Sequence, residues 1–179
     1  MNTQVRYTLT AIWLHWLMAI LIFGLIPLGI YMSELPQSPE KFALYDFHKA
    51  IGVLALLLVI ARLAWRWTHQ PPVLPQGVSA ITRKAAAVGQ ALLYLCMVFA
   101  PLSGWLMSSA YGHPPSFFGI VTLPELLGKN ESLAETLKGV HFALTNGLLF
   151  LAVGHVVLAL KHHWINKDGL LNRLKPWAN

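Results

Sequence analysis

The sequence predicts an all-α integral membrane protein, a four-helix bundle in which residues 1–179 form a single transmembrane domain. Charged residues make up 11% of the 179 residues and hydrophobic residues 56%, whereas soluble domains average about 25% charged residues. Residues 7–33, 85–124 and 139–160 contain no Lys, Arg, Asp or Glu. Each of these runs is longer than the roughly 20 helical residues that cross a bilayer core.

Four transmembrane helices are expected, near residues 9–32, 45–67, 84–109 and 136–161. The second of them is apolar only in its middle, but long cationic side chains at helix ends can extend to the membrane interface. Prolines break the chain between the second and third helices, at Pro71, Pro72 and Pro75. A longer loop, from His113 to about Asn130, separates the third helix from the fourth.

The distribution of Lys and Arg predicts that both termini are cytoplasmic, because cytoplasmic loops carry an excess of these residues. Nine of the 13 lie on the side of the termini, and the other four are Lys41, Lys49, Lys129 and Lys138. Six of the seven acidic residues share the side of those four lysines. The loops at 33–44 and 110–135 should therefore face outward.

Composition also excludes several kinds of site. Cys96 is the single cysteine, so one chain can form neither an intramolecular disulfide nor a cysteine-based zinc or iron–sulfur site. No C-x-x-C-H motif is present, which excludes covalent c-type haem. The net charge is +6, but the basic residues are scattered between apolar runs, so we expect membrane lipids and not nucleic acid as the surroundings.

Histidines are the feature of so apolar a chain that needs explanation. His141 and His155 lie 14 residues apart on the fourth helix, which is about 21 Å and about 3.9 turns. They therefore leave one face of the helix at two depths. His15 lies at the depth of His155, near the cytoplasmic side, and His48 lies at the depth of His141, near the outer side.

Two imidazoles facing each other from different helices are the arrangement that bis-His ligation of haem iron requires. The sequence thus predicts two haem b groups, the inner one held by His15 and His155 and the outer one by His48 and His141. A lone histidine can instead hydrogen-bond between helices. A zinc or copper site is the rival reading, but no carboxylate or thiolate is expected at the depth of either pair.

Other residues are candidates for contacts around the haems. Arg62 lies 14 residues after His48 and is a candidate partner for an inner propionate. Lys49 and Lys138 flank the outer pair and are candidates to hold outer propionates or attract an anion; ordinary interfacial snorkelling is the alternative. Glycines at similar depths would let a flat ring approach the backbone; they are Gly29, Gly52, Gly89 and Gly104.

A quinone site is expected near the cytoplasmic end of the fourth helix. His162 lies two turns beyond His155, where a histidine can exchange a hydrogen bond or proton with a quinone headgroup. Trp16 is a candidate to line this pocket. The alternatives are that His162 is a cation anchoring a helix C-terminus and that Trp16 belongs to an interfacial aromatic belt.

Taken together, these residues resemble the bacterial cytochrome b561 family, the small dihaem membrane cytochromes that include superoxide oxidase. The resemblance covers nearly the whole chain. The motifs that carry it are LHWL at 14–17, FHKAIG at 47–52, RLAWR at 62–66, LSGW at 102–105 and LKHH at 160–163. The tail from Lys167 and Asp168 through Leu171 and Arg173 also fits.

The resemblance implies a bacterial inner-membrane bundle with two b haems ligated by His15, His48, His141 and His155, exchanging electrons with the quinone pool. For the superoxide oxidase branch it implies that superoxide is oxidised at the periplasmic face and ubiquinone is reduced, with His162 at the position of a quinone-site histidine. We therefore expect a superoxide:ubiquinone oxidoreductase.

Two other functions compete with this expectation. The first is an electron-transfer subunit with no substrate of its own, which would relay electrons between a periplasmic or membrane partner and quinone; it would dock through the 110–135 loop, where Phe117, Phe118 and Ile120 are apolar. The second is a haem-free transporter or channel. Apart from the histidines, such a path would have few polar groups in the helices, mainly Gln90, Ser103, Ser108, Thr145 and Asn146.

Overall fold

The computed structural model describes residues 6–73 and 79–176. Four long helices dominate it: α1 (Leu9–Glu34), α2 (Pro39–Thr68), α3 (Ala80–Ala110) and α4 (Glu131–Lys161). All four are long and apolar enough to cross a membrane, which confirms the predicted all-α membrane bundle. A two-stranded antiparallel hairpin, β1 (Ser116–Phe117) and β2 (Val121–Thr122), lies between α3 and α4.

The helices are longer than the apolar runs, because polar caps extend them. The side chains of Thr8, Ser38, Ser79 and Asn130 each accept a hydrogen bond from a backbone N–H in the first turn of their helix, which satisfies a donor that has no partner within the helix. Thus α2 begins at Pro39 and α4 at Glu131, five or six residues before the expected starts.

The four helices do not all pack against one another equally closely. The closest pair is α3 with α4, followed by α1 with α2 and α2 with α3; among the described residues, α1 and α4 are not a closely packed pair. The buried core consists of Met18, Leu56 and Val59, from α1 and α2, with apolar residues of α3 against them. Many large apolar side chains are exposed, as expected for helices surrounded by lipid.

We call the end of the bundle where α1 begins and α4 ends the inner end, and the opposite end the outer end. At the outer end, the buried Lys41 donates hydrogen bonds to the carbonyls of Ser33 and Leu35 and so joins the end of α1 to the start of α2. The α3–α4 connection is fixed by a hydrogen bond from Trp105 Nε1 to the Pro124 carbonyl (3.0 Å).

At the inner end, the chain after α4 folds back beneath the bundle. A π-helical turn (His162–Asn166) is followed by a 3₁₀ turn (Leu171–Leu174). Trp16 Nε1 donates to the carbonyl of Leu174 (2.9 Å) and Arg173 donates to the carbonyl of Val73 (2.7 Å). We call residues 167–176 the return segment; it connects α4 with α1 and with the chain that follows α2.

Candidate functional site

Two pairs of histidines face each other across the bundle. The ring centres of His15 and His155 are 6.2 Å apart, with 61° between the ring planes. Those of His48 and His141 are 6.5 Å apart, at 80°. These are the pairs that depth along the helices predicts, and in each the fourth helix supplies one member.

Both separations match the requirement of one iron between two imidazoles. Metal–nitrogen bonds of about 2 Å place the ring centres of two axial histidines about 6 Å apart. No group of three or more His, Cys, Asp or Glu side chains suited to a metal ion occurs in the part of the chain that the structure describes. The donor set therefore fits haem iron, which needs only two protein ligands, better than a zinc or copper site.

Hydrogen bonds fix the orientation of His141. Its Nδ1 lies 2.9 Å from the carbonyl oxygen of Ala100 and 3.2 Å from Ser103 Oγ. A carbonyl can only accept, so Nδ1 carries the proton and Nε2 keeps the lone pair that binds a metal. Ser103 donates to the same carbonyl (2.7 Å). Such contacts typically orient a ligating histidine and increase its basicity.

Two glycines make room for the outer imidazoles. A Cβ at Gly104 would lie 3.1 Å from Cε1 and 3.2 Å from Nδ1 of His141, and a Cβ at Gly29 would lie 3.3 Å from Cε1 of His48. All three distances are shorter than ordinary van der Waals contact. Gly52 and Gly89 have no neighbouring atom within 4 Å of such a Cβ. Gly29 and Gly104 thus accommodate the histidine rings, and the approach of a macrocycle to the four glycines stays a prediction.

One ring nitrogen of His48, Nδ1, is buried without a hydrogen-bond partner among the described residues. Burying such a group costs free energy. His48 is therefore held differently from His141: by the close approach of Gly29 and not by a backbone carbonyl.

Arg62 is a cation near the inner pair. It is close enough to interact electrostatically with both His15 and His155, and its Nε donates to the hydroxyl of Tyr94 (2.9 Å). One turn along α2, Arg66 donates to Gln90 (3.3 Å). These bonds direct α2 cations toward α3 at the inner level; a propionate contact of Arg62 stays a prediction.

The two lysines that flank the outer histidine pair, Lys49 and Lys138, each form an ion pair with a carboxylate of their own helix. Lys49 lies 2.8 Å from Asp46 and Lys138 lies 3.2 Å from Glu135. Glu135 also accepts a hydrogen bond from the hydroxyl of Tyr111. Burial of Tyr111 and this bond raise the pKa of its hydroxyl to about 12. The positive charge expected near the outer pair is thus partly neutralised.

At the inner end, His162 is engaged by a residue of the tail at 167–173, to which the sequence analysis assigned no role. Its Nδ1 is hydrogen-bonded to the carboxylate of Asp168. Trp16 is in edge-on contact with His15, 5.3 Å between ring centres, while its Nε1 is bonded to Leu174. His162 and Trp16 thus both contact the chain that follows α4, and their part in a quinone site stays a prediction.

A second residue that sequence reasoning missed is Arg6. It donates to the carbonyl of Lys175, and its Nε is buried without a partner among the described residues. Contacts with a segment 169 positions away leave no signal in a local pattern. The remaining histidines lie apart from the pairs: His69 is stacked on Trp65 at 3.9 Å, and His113 is exposed.

A family model described as prokaryotic cytochrome b561 matches residues 6–177. The chain belongs to this family. Cytochromes b561 are membrane electron-transfer proteins that bind b-type haem and exchange electrons with quinone or other redox partners. Together with the four membrane-spanning helices, membership makes the chain a multi-pass protein of the bacterial inner membrane.

Among the relatives of this chain, cytochrome b561 homolog 2 of Escherichia coli K12 is 36% identical over 174 residues, covering 97% of this chain and 93% of the relative. Cytochrome b561 homolog 1 of the same organism is 26% identical, covering 96% and 97%. A protein of Yersinia pestis named probable superoxide oxidase CybB is 28% identical and covers 96% of each chain. All three relatives match this cytochrome b561 chain nearly end to end.

Proposed function

We propose that this cytochrome b561 binds two haem b groups, the inner one between His15 and His155 and the outer one between His48 and His141. The observation that carries the proposal is the pair of ring separations, 6.2 and 6.5 Å. His141 and His155 are about 21 Å apart along α4, so the two sites lie at different levels of the membrane. When bound, the haems supply one-electron redox chemistry.

We further propose that the protein is a superoxide:ubiquinone oxidoreductase. Two superoxide ions lose one electron each at the outer end, which the charge distribution assigns to the periplasm, and become O₂. One ubiquinone gains both electrons and two protons at the inner end and becomes ubiquinol. The likeness to the Yersinia protein named probable superoxide oxidase supports this choice of donor.

The chain's own residues have distinct tasks in this proposal. Lys49 and Lys138 are placed to attract an anion toward the outer site, although Asp46 and Glu135 reduce their effect. Arg62 contributes a positive charge at the inner site that a propionate can neutralise.

At the inner end, His162 would hold a proton within reach of the quinone oxygen, and Trp16 would form one wall of the quinone pocket. Both residues lie where α1, α4 and the return segment meet.

A second function, an electron relay without its own substrate, is favoured by the outer hairpin. Phe118 and Ile120 at its turn are 46% and 78% exposed. Phe118 (φ 51°) and Gly119 (φ 72°) both adopt positive φ values, which fixes the tight turn that displays them. An apolar tip of this kind suits contact with a partner protein at the outer end.

The test is to purify the protein in detergent and record reduced-minus-oxidised spectra while an enzymatic source supplies superoxide. The expected result is bis-His b-type bands that appear with superoxide, disappear when a soluble ubiquinone analogue is added, and do not form when superoxide dismutase is present. Dithionite serves as the control reductant.

Two other results would change the conclusion. Haem bands that dithionite reduces but superoxide does not would overturn the superoxide assignment in favour of the relay. A protein without haem bands after expression with sufficient haem would overturn the ligand assignment itself.

A further inference from the structure

The chain beyond α4 makes a sharp return that brings Asp168 back to His162. The π-helical turn ends at Asn166, and the next residue, Lys167, adopts a left-handed backbone conformation (φ 51°, ψ 35°). Gly169 also has a positive φ of 75°. A bulky residue such as lysine rarely adopts this conformation. Contacts with surrounding residues must therefore stabilise the turn. The residue between Lys167 and Gly169 is Asp168, whose carboxylate contacts His162.

Both oxygens of the Asp168 carboxylate have a hydrogen-bond donor. Oδ2 accepts from Nδ1 of His162, and Oδ1 accepts from the backbone N–H of Leu170 (3.1 Å). The side chains of Asp168 and His162 are each 22% exposed. Partial burial raises the pKa of Asp168, but the bonds from His162 and Leu170 outweigh it and hold the pKa below its ordinary value.

The contact determines which nitrogen of His162 carries a proton. Asp168 is ionised at neutral pH, and a carboxylate can only accept. Nδ1 of His162 must therefore be the donor to this carboxylate. The amide nitrogen of Asn166 also lies 3.1 Å from Nδ1, but an amide nitrogen can only donate and so cannot accept the Nδ1 proton. Nε2 makes no hydrogen bond to any residue in the ranges 6–73 and 79–176, so it is the nitrogen available to a ligand.

We propose that Asp168 is a positioning residue for quinone reduction, which holds His162 so that Nε2 is presented to the quinone oxygen. This inference rests on the proposed quinone site at His162. As the two electrons arrive from the donor, protonated His162 donates its Nε2 proton to one quinone oxygen, and the other quinone oxygen takes the second proton from water at the inner end. The imidazole is left neutral with its proton on Nδ1, and water at the inner end restores the Nε2 proton.

The carboxylate has two effects on this step. It stabilises the imidazolium, and it prevents the tautomer in which Nδ1 is bare. Asparagine at 168 can point its own amide toward Nδ1 and so favour the wrong tautomer. Loss of a residue that orients a metal-ligating histidine typically costs about 10–100-fold in metal affinity or activity, and we expect a loss of the same order for His162.

The test is a stopped-flow measurement on the full-length, haem-loaded protein. Haems are reduced with stoichiometric dithionite and mixed with ubiquinone-1, and the reoxidation rate is followed as a function of quinone concentration. For Asp168→Asn we expect the maximal rate to fall about 10–100-fold, with haem content unchanged and the half-saturating quinone concentration changed much less. Asp168→Glu should recover part of the rate, because it restores the carboxylate.

Two further variants distinguish positioning from a structural effect. Arg173→Gln removes another bond of the return segment without touching His162, so it should leave the maximal rate close to that of the wild type. His162→Gln should lose as much as Asp168→Asn, and the double variant should lose no more than the single ones, because Asp168 acts through His162.

Several results would overturn the proposal. They are a maximal rate in Asp168→Asn equal to that of the wild type, an equal loss in Arg173→Gln, and additive losses in the double variant. Failure of the proposed function looks different: wild-type haems that ubiquinone-1 does not reoxidise would remove the quinone site, and Asp168 with it.

Discussion

Substitution of Gly104 by alanine tests the geometry of the outer site most directly. The new methyl carbon would lie 3.1 Å from Cε1 and 3.2 Å from Nδ1 of His141, so the ring would have to move by a few tenths of an ångström. The ring is bonded to the Ala100 carbonyl at 2.9 Å and cannot yield without weakening that bond. Overpacking of this kind costs about 1–3 kcal/mol.

If that cost falls on the His141 ligand, the outer haem should bind about 5- to 150-fold more weakly, since 1.4 kcal/mol is a factor of ten. The assay is the haem-to-protein ratio of the purified protein, together with the rate of haem transfer to excess apomyoglobin. We expect one haem to be lost quickly and the inner haem to be retained with its wild-type spectrum.

Gly147→Ala is the matched control. Its Cβ would lie 4.0 Å from Cys96 Sγ, an ordinary contact, on the same pair of packed helices. Alanine is favoured over glycine in a helix by about 1 kcal/mol, so this variant should keep both haems. Two tightly held haems in Gly104→Ala would refute the reasoning.

The remaining predictions concern the two ends of the bundle. Lys41→Met should lower the unfolding temperature, because two carbonyls at the end of α1 lose their buried donor at a cost of about 1–3 kcal/mol; exposed Lys129→Met should have little effect, and equal transitions would contradict the assignment. Ultraviolet titration of the wild type minus Tyr111→Phe should show tyrosinate only near pH 12, and a transition near pH 10 would show that the bond to Glu135 does not form. The depressed pKa of Asp168 stabilises the folded state at pH values above its ordinary 3.8, and this contribution is lost as the pH falls through the lower folded value. Unfolding temperatures below pH 4 should therefore fall less steeply in Asp168→Asn than in the wild type, and parallel curves would argue against an ionised Asp168.

The pairing of the four histidines could be predicted from the sequence because an α-helix has a regular period. The 14-residue spacing of His141 and His155 fixes a shared face and two depths on any straight helix. Depth then leaves one partner for each, which is why the pairs His15–His155 and His48–His141 could be predicted before any coordinates. Their role as haem ligands stays a prediction that the ring separations support.

Some contacts were beyond sequence reasoning because they join distant parts of the chain. Glycines are common in membrane helices. The LSGW motif contains Gly104, but no local pattern showed that Gly104 lies against His141 while Gly89 has no near neighbour. Lys49 pairs with Asp46 and Lys138 with Glu135, in each case three positions apart. This spacing could have predicted both ion pairs, but the total charge on each side of the membrane does not show which residues pair.

The sequence by itself determined the membrane class, the four apolar helices and the levels of the histidines, because hydrophobic length and helical period are local properties. Only the tertiary structure decided which nitrogen of His141 carries the proton, which glycines accommodate a ring, and that Asp168 returns to His162. Those features depend on the rotation of each helix about its axis and on the left-handed turn at Lys167. Both are set by packing between segments that no local pattern relates.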